Sequence, residues 1–337
     1  MGQAVKYEPF FLVIDDQSRV AEGRRIATLV AERQGLSSNA VANAAIVASE
    51  LASNLSKHAQ RGELHIAPLS GRGGPGVEIL AIDRGPGIAN LTESLRDGHS
   101  TTGTSGTGLG AVRRLSDEFD IVSQPGKGTI VVSQIHAQRV AAQGSPFSIG
   151  LCARPVAGET MSGDGWSVRF EENAVLIMVA DGLGHGALAA DASSAAVDSF
   201  CRSNEHLPVE LVQVMHAALR GTRGAAVAVS RVEFGHGRVR FAGLGNIAGA
   251  VVTSSKSQSM VSHNGTAGYE ARHIREFIYP WTDQSFIVMH SDGLSANWNP
   301  AAFPGLQRHH PSVISALLYR EAARERDDAC VIVGKPQ

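Results

Sequence analysis

Apolar residues recur along this chain in two rhythms, and the switches between them mark its elements. Over residues 38–58, Val41, Ala44, Ala45, Val47, Ala48, Leu51 and Leu55 return at the three- and four-residue spacing of a helix with one buried face. Ser37 or Ser38 supplies a side-chain oxygen where the first helical N–H groups need an acceptor. A second helix is predicted over 19–33, ended by Gln34-Gly35. Short apolar runs predict strands over 10–14, 63–68, 77–82, 119–123 and 129–135. A Gly-rich turn at 71–76 and Pro125-Gly126-Lys127-Gly128 read as hairpin turns. One mixed sheet covered by helices, an α/β sandwich, fits this order.

The pattern lapses at residues 136–146 into Ala, Gln, Gly and Ser, which places a linker there and assigns 1–135 and 147–337 to separate domains. Strands are predicted beyond it over 148–154, 167–170, 173–180, 225–234, 238–242, 248–253, 286–290 and 330–333. Helices are predicted from the Ala-rich run ending at Phe200 and over 209–219 and 312–323. Many strands with few helices predict two packed β-sheets flanked by helices, so the whole chain is of the α/β (α+β) class. A length of 337 residues also favours two domains.

Composition narrows the partners. A net charge of −2 gives no bulk attraction for nucleic acid or an anionic membrane. No apolar run approaches a membrane span, and residues 1–8 lack the build of a signal peptide. Cys152, Cys201 and Cys330 are scattered and odd in number, which points to a reducing compartment, the cytoplasm, and to no structural zinc. His309-His310 has no Cys or carboxylate at ligand spacing and reads as a loop pair.

The densest chemistry of the first half lies between Asp83 and Leu115. A strand ends on Asp83 and turns at Gly85-Pro86-Gly87; a Gly/Ser/Thr-rich segment then runs into a helix near Leu109. Repeated glycine costs folding entropy, and its usual return is close approach of backbone N–H groups to phosphate oxygens. A plain surface loop is the competing reading. Upstream, Glu50, Asn54 and Lys57 share one helix face, suiting a general base and a magnesium ligand or else a solvated outer surface. Together Glu50-x-x-x-Asn54, Asp83-x-Gly85-x-Gly87 and Gly106-Thr107-Gly108-Leu109-Gly110 resemble, in order, the three boxes of the ATP-binding fold shared by gyrase, Hsp90 and histidine kinases. Within that group the segment from Asp15 to Ser133 is similar to the small serine/threonine kinases of bacterial partner-switching systems, the stressosome switch kinases. The resemblance implies that Asp83 binds the adenine amino group, Asn54 holds Mg²⁺ with ATP, and Glu50 activates the attacking hydroxyl. Lys57 belongs to the same nucleotide face, and the loop from Gly103 and Thr104 to Gly110 is expected to close over the phosphates.

In the second half Asp164, Asp181, Asp292 and Asp327 each lie at or beside the end of a strand, and three adjoin glycine. Asp-Gly pairs are common turn residues, but four acids so placed suggest convergence. Bare carboxylates so gathered repel by about 1–4 kcal/mol per close pair, which a hard divalent cation relieves. An oxygen-only donor set suits Mg²⁺ or Mn²⁺, and two such ions could supply a hydroxide nucleophile and clamp a phosphoryl group. Gly163-Asp164, the run Asp181-Gly182-Leu183-Gly184-His185-Gly186, Ser291-Asp292-Gly293 and Arg326-Asp327-Asp328-Ala329 resemble the metal-dependent (PPM-type) serine/threonine phosphatases, in their SpoIIE-like branch. That resemblance implies two Mn²⁺ or Mg²⁺ ions bridged by Asp181, with the Gly182 carbonyl on one and Asp292 and Asp327 on the other. Asp164 is implied to act through a water, although its setting reads G-D-G-W where the branch commonly has G-G-D-W. His185 either serves as a general acid or is simply a turn residue.

The two resemblances together imply a fused kinase and phosphatase of opposite action on a STAS-domain antagonist or stressosome scaffold protein. The alternative is an ATP-binding anti-sigma factor that sequesters a sigma factor, fused to a phosphatase that reactivates its antagonist.

Overall fold

The computed structural model describes residues 4–5, 9–69, 74–95, 108–137, 147–254, 256–271, 273–299 and 302–337. Chain contacts divide it into two units, Tyr7–Ser145 on one hand and Met1–Lys6 with Pro146–Gln337 on the other. The short strand β1 (Ala4–Val5) therefore belongs with the second unit, not with the 1–135 domain to which the sequence pattern assigned it. Two residues carry no periodic signal; β1 is recognisable only by its pairing, given below.

The first unit runs β2 (Phe10–Ile14), α1 (Gln17–Arg33), α2 (Ser38–His58), β3 (Gly62–Leu69), β4 (Gly76–Ile82), α3 (Leu91–Ser94), α4 (Gly108–Leu115), β5 (Glu118–Gln124) and β6 (Gly128–His136). Helix α1 starts where Asp16 accepts N–H bonds from Ser18 and Arg19, and α2 where Ser37 accepts from Ala40. Valine, alanine and leucine on one face of α2 bury against Leu64, Ile66, Ile79 and Val131 of the sheet, giving the amphipathic spacing its physical purpose. The sheet order is β2-β3-β4-β6-β5, and every neighbouring pair is antiparallel. The expected mixed sheet is thus corrected. β4 and β5, joined through helices, do run parallel, but the β5–β6 hairpin inserts β6 between them, so no parallel pair is made.

The second unit continues with β7 (Phe147–Arg154), β8 (Asp164–Phe170), β9 (Ala174–Gly182), α5 (Ala187–Arg202), α6 (Pro208–Ala218), β10 (Ala225–Glu233), β11 (Arg238–Leu244), β12 (Ala248–Val252), β13 (Ser257–Met260), β14 (Phe277–Pro280), β15 (Phe286–His290), α7 (Pro311–Ala322) and β16 (Ala329–Pro336). Its sheets are β1-β8-β9-β10-β11-β14 and β13-β12-β15-β16-β7. β1 is the outer strand of the first, with Ala4 opposite Arg169 and Val5 opposite Val168. Leu176, Met178 and Ala180 of β9 face α5 and α6, whose Ala192, Ala196, Phe200, Leu211 and Met215 complete a closed apolar layer. α7 packs on β7 and β16 of the other sheet. The absence of a side chain at Gly334 in β16 leaves room for Phe147 and for Ile177 of β9, so the two sheets meet there.

Three short or polar elements, β1, β13 and β14, and the one-turn α3 were not foreseen. Each is at a sheet edge or too brief to show a period. His310, expected in a loop, instead accepts the Ser312 N–H with Nδ1 and caps α7. All three cysteines are free thiols. No helix among the described residues is long and apolar enough to cross a membrane.

Candidate functional site

The first unit holds a cleft of about 480 Å³, within the range of small-molecule sites. One wall is α2, which presents Glu50, Asn54, Lys57 and His58 from successive turns. Opposite stand Asp83, just past the end of β4, and Gly87 of the turn that follows. Gly108 and Leu109 close a third side from the first turn of α4. Gly85 and Gly110 do not line the cleft. Gly85 packs against the end of α2, where a Cβ would stand 2.6 Å from the His58 carbonyl, and Gly110 is buried within α4.

The Asp83 turn is fixed from three directions. Its Oδ1 accepts the Gly85 N–H at 2.6 Å, its own N–H donates to the Thr129 carbonyl at 2.9 Å, and Gly126 N–H donates to the Pro86 carbonyl at 2.8 Å. Gly87 sits at φ +71° with the Gln124 carbonyl where a side chain would be, so only glycine fits both the dihedral and the space. The carboxylate is thereby held at the mouth of an apolar pocket floored by Leu51, Leu55, Ala81, Ile88 and Val131. This floor and Thr129 went unassigned in the sequence because they read as ordinary core of α2, β4 and β6. Gly103, Thr104, Gly106 and Thr107, the expected phosphate loop, lie outside the described residues.

In the second unit β-pairing does the assembling. Asp164 and Asp181 are direct partners across β8 and β9, which puts two carboxylates on adjacent strands. Asp164 is the first residue of β8, not a loop residue ahead of it as the predicted 167–170 strand placed it. Asp292 crowds Asp181 and Asp327. Burial, reinforced by repulsion from Asp292, pushes the Asp181 carboxyl up to about 8. Burial also raises Asp164 well above the usual carboxylate range, with Asp181 adding repulsion and the Ser291 hydroxyl opposing it; Asp327 is raised by burial and by Asp292. The Gly182 N–H donates to the Gly163 carbonyl at 3.0 Å, tying the two acid-bearing turns together.

Three residues not assigned from sequence orient these acids. The buried Ser291 hydroxyl donates to Asp164 at 2.6 Å while accepting the Cys330 N–H at 3.1 Å. Asn246 donates its amide to Asp292 at 2.6 Å. Asp328, buried, accepts the Val156 N–H at 2.7 Å and the Gly163 N–H at 2.8 Å, holding the loop that delivers Asp164. A polar residue beside an acid in a strand-end motif was the available signal for Ser291 and Asp328; Asn246, from a separate loop, had none. His185 is two-thirds exposed and bonded through Nδ1 to Glu159 at 3.0 Å.

No group of three His, Cys, Asp or Glu side chains among the described residues closes into a ready-made ion cage. The donor set nevertheless fits hard cations. The acids are oxygen-only, Asp164 and Asp181 are partners across the strand pair, and burial with mutual repulsion raises the proton affinity of both. Mg²⁺ and Mn²⁺ commonly complete their shells with water and backbone carbonyls, so fewer than three converging carboxylates per ion suffices.

Relatives divide along the same line. Residues 14–134 match the histidine kinase-like ATPase domain family and residues 171–335 match stage II sporulation protein E, SpoIIE. The serine/threonine-protein kinase RsbT of Bacillus subtilis is 37% identical over 110 residues, covering 33% of this chain and 83% of RsbT. Through residues 14–134 the chain belongs to the histidine kinase-like ATPase family. The half that matches SpoIIE is 23% identical over 186 residues to the phosphoserine phosphatase RsbX of the same organism, covering 53% of this chain and 89% of RsbX. A structure solved in work on the bacterial stressosome, a modular system adapted to control secondary messenger signalling, aligns at TM-score 0.53 and 29% identity over 56% of this chain and 99% of that one.

Proposed function

We propose that the chain is a bifunctional partner-switching regulator: the ATPase-like half phosphorylates a serine or threonine on a STAS-domain or stressosome scaffold partner, and the SpoIIE half removes that phosphate. The observation that carries this reading is the presence, on one chain, of a cleft lined by Glu50, Asn54 and Asp83 and of a separate cluster of Asp164, Asp181, Asp292 and Asp327. Its likeness to RsbT in one half and RsbX in the other supports opposed reactions on related substrates.

In the first half Asp83 accepts the adenine amino group and the apolar floor takes the ring faces. Asn54 would hold Mg²⁺, which neutralises phosphate charge when bound. Glu50, one turn away on the same face, accepts the proton of the partner's hydroxyl as its oxygen bonds to the γ-phosphorus and ADP leaves. Phosphoryl transfer asks for positioning and charge neutralisation more than covalent participation, and a rigid α2 supplies positioning. In the second half Asp181, the Gly182 carbonyl, Asp292 and Asp327 would hold two divalent ions, with Asp164 acting through water. Those ions supply an activated water and charge stabilisation. Ser291, Asn246 and Asp328 keep the acids in register, so that water adds to phosphorus as the serine oxygen departs with a proton.

The test uses the full chain with a STAS-domain protein. With ATP and Mg²⁺, phosphoserine or phosphothreonine should accumulate on the partner; Mn²⁺ added after ATP is removed should release it as inorganic phosphate. A partner that stays unlabelled while a sigma factor is captured in an ATP-dependent complex would replace the kinase reading with sequestration. For the nucleotide site alone, Asp83→Asn exchanges the carboxylate for an amide that presents a donor to the adenine amino group. ATP affinity measured by calorimetry should fall about 10- to 100-fold, the worth of one hydrogen bond to a charged group.

A further inference from the structure

We infer that Arg223 is the residue that grips the phosphoryl group of the SpoIIE half's substrate, an assignment that rests on the phosphatase reading above. Arg223 lies in the turn between α6 and β10, and the backbone on both sides of it is pinned. Thr222 donates its N–H to the Leu219 carbonyl at 3.0 Å and its hydroxyl to the same oxygen at 2.8 Å. Gly224 N–H donates to the Thr222 hydroxyl at 2.9 Å, and the Tyr269 hydroxyl donates to the Thr222 carbonyl at 2.9 Å. The Gly224 carbonyl in turn accepts the Leu183 N–H at 3.0 Å, which fastens this turn to the one carrying Asp181 and Gly182. Gly224 adopts φ +78°, with Ala267, Thr266 and Tyr269 filling the space of a side chain. Such a mount fixes where the Arg223 side chain starts.

Its guanidinium lies beside Gly184, in the turn that follows Asp181 and Gly182. Nη1 lies 3.2 Å from the point a Cβ on Gly184 would occupy, three residues past Asp181. Arg223 is exposed and enters no ion pair or hydrogen bond among the described residues. Arg169, Arg231, Arg238 and Arg240 on the same sheet all pair with Glu171, Glu233 or Glu276. Beyond the same turn Glu159 is occupied by His185. A fork of N–H donors on a pinned turn, unpaired among the described residues and next to the turn that carries Asp181, suits a dianionic phosphomonoester whose other oxygens face the ions. Arginine can bind two such oxygens at once, whereas lysine offers a point charge.

The experiment uses the full chain, Mn²⁺ and a phosphoserine peptide, read by phosphate release and, separately, by peptide binding. R223A should raise KM and the Kd for peptide by about 10-fold or more, the worth of a charge-assisted hydrogen bond, with R223K intermediate. Inhibition by inorganic phosphate should weaken in the same order, while Mn²⁺ affinity by calorimetry stays constant. Unchanged KM, Kd and phosphate inhibition in R223A, with the parent chain active, overturns the role of Arg223 and leaves the phosphatase reading standing. Mn²⁺ affinity that falls in step with KM overturns it too, by assigning Arg223 to the ion site. A parent chain that binds peptide through Arg223 without hydrolysing it supports the inference and removes the phosphatase reading; one that does neither removes both.

Discussion

The chain carrying Asp181→Asn should release phosphate from a phosphoserine partner more than ~100-fold more slowly than the parent, a loss beyond the ~10- to 100-fold typical of residues that only orient a metal ligand. The side chain keeps its size, so packing between β9, β8 and α5 is preserved. What goes is one negative charge from a cluster in which Asp164 pairs with Asp181 across the ladder and Asp292 presses on Asp181 itself. That charge destabilises the metal-free protein, because burial and Asp292 both oppose it. Two melting measurements therefore separate a lost ion site from a damaged fold. Without metal, the Asp181→Asn chain should melt no lower than the parent. With Mn²⁺, the parent should gain stability in proportion to its ion affinity, and the variant should gain far less. Lower stability in the metal-free variant together with an unaltered Mn²⁺ response would remove Asp181 from the ion site.

The acid cluster was legible because each acid lies at or beside the end of a strand, three of them next to glycine, and strands of two sheets bring such residues together. The sequence could not show the bonds that hold the acids apart from one another. Ser291 reaches Asp164 over 127 positions, Asp328 reaches Gly163 over 165, and Asn246 reaches Asp292 over 46. Those contacts depend on register between strands, and register is set by the whole fold and not by a local period. The same reason explains the sheet of the first half. Each strand was visible as a run, but the insertion of β6 between β4 and β5, which makes every pair antiparallel, is a property of topology. Edge strands such as β13, with three polar residues in four, are specified mostly by their neighbour. Asp83, Asn54 and Glu50 were legible because local helical spacing and a Gly-Pro-Gly turn already fix their faces.

Glu50→Ala is the matching test of the first half, and it should divide binding from chemistry. Glu50 and Asn54 line one cleft from the same face of α2, but only Asn54 is assigned to the ion and Asp83 to the base. Removing the Glu50 carboxylate should leave ATP affinity within a few-fold of the parent and slow partner phosphorylation by about 10²- to 10⁴-fold, the usual contribution of a positioned general base. Glu50 is half-buried at the cleft wall and alanine favours the helix, so α2 should persist. Glu50→Gln, which keeps the shape without the basicity, should be as slow as Glu50→Ala. If glutamine instead restored the rate, the side chain would be acting by holding the hydroxyl in place rather than by taking its proton. Captured partner completes the separation: both variants should still bind the STAS protein with ATP present, because recognition and proton transfer use different atoms. A variant that lost ATP affinity in the same proportion as phosphorylation would instead make Glu50 part of the nucleotide's own grip, and would leave the carboxylate base of this half to be sought elsewhere on the cleft wall, where Glu93 is a further carboxylate in the lining.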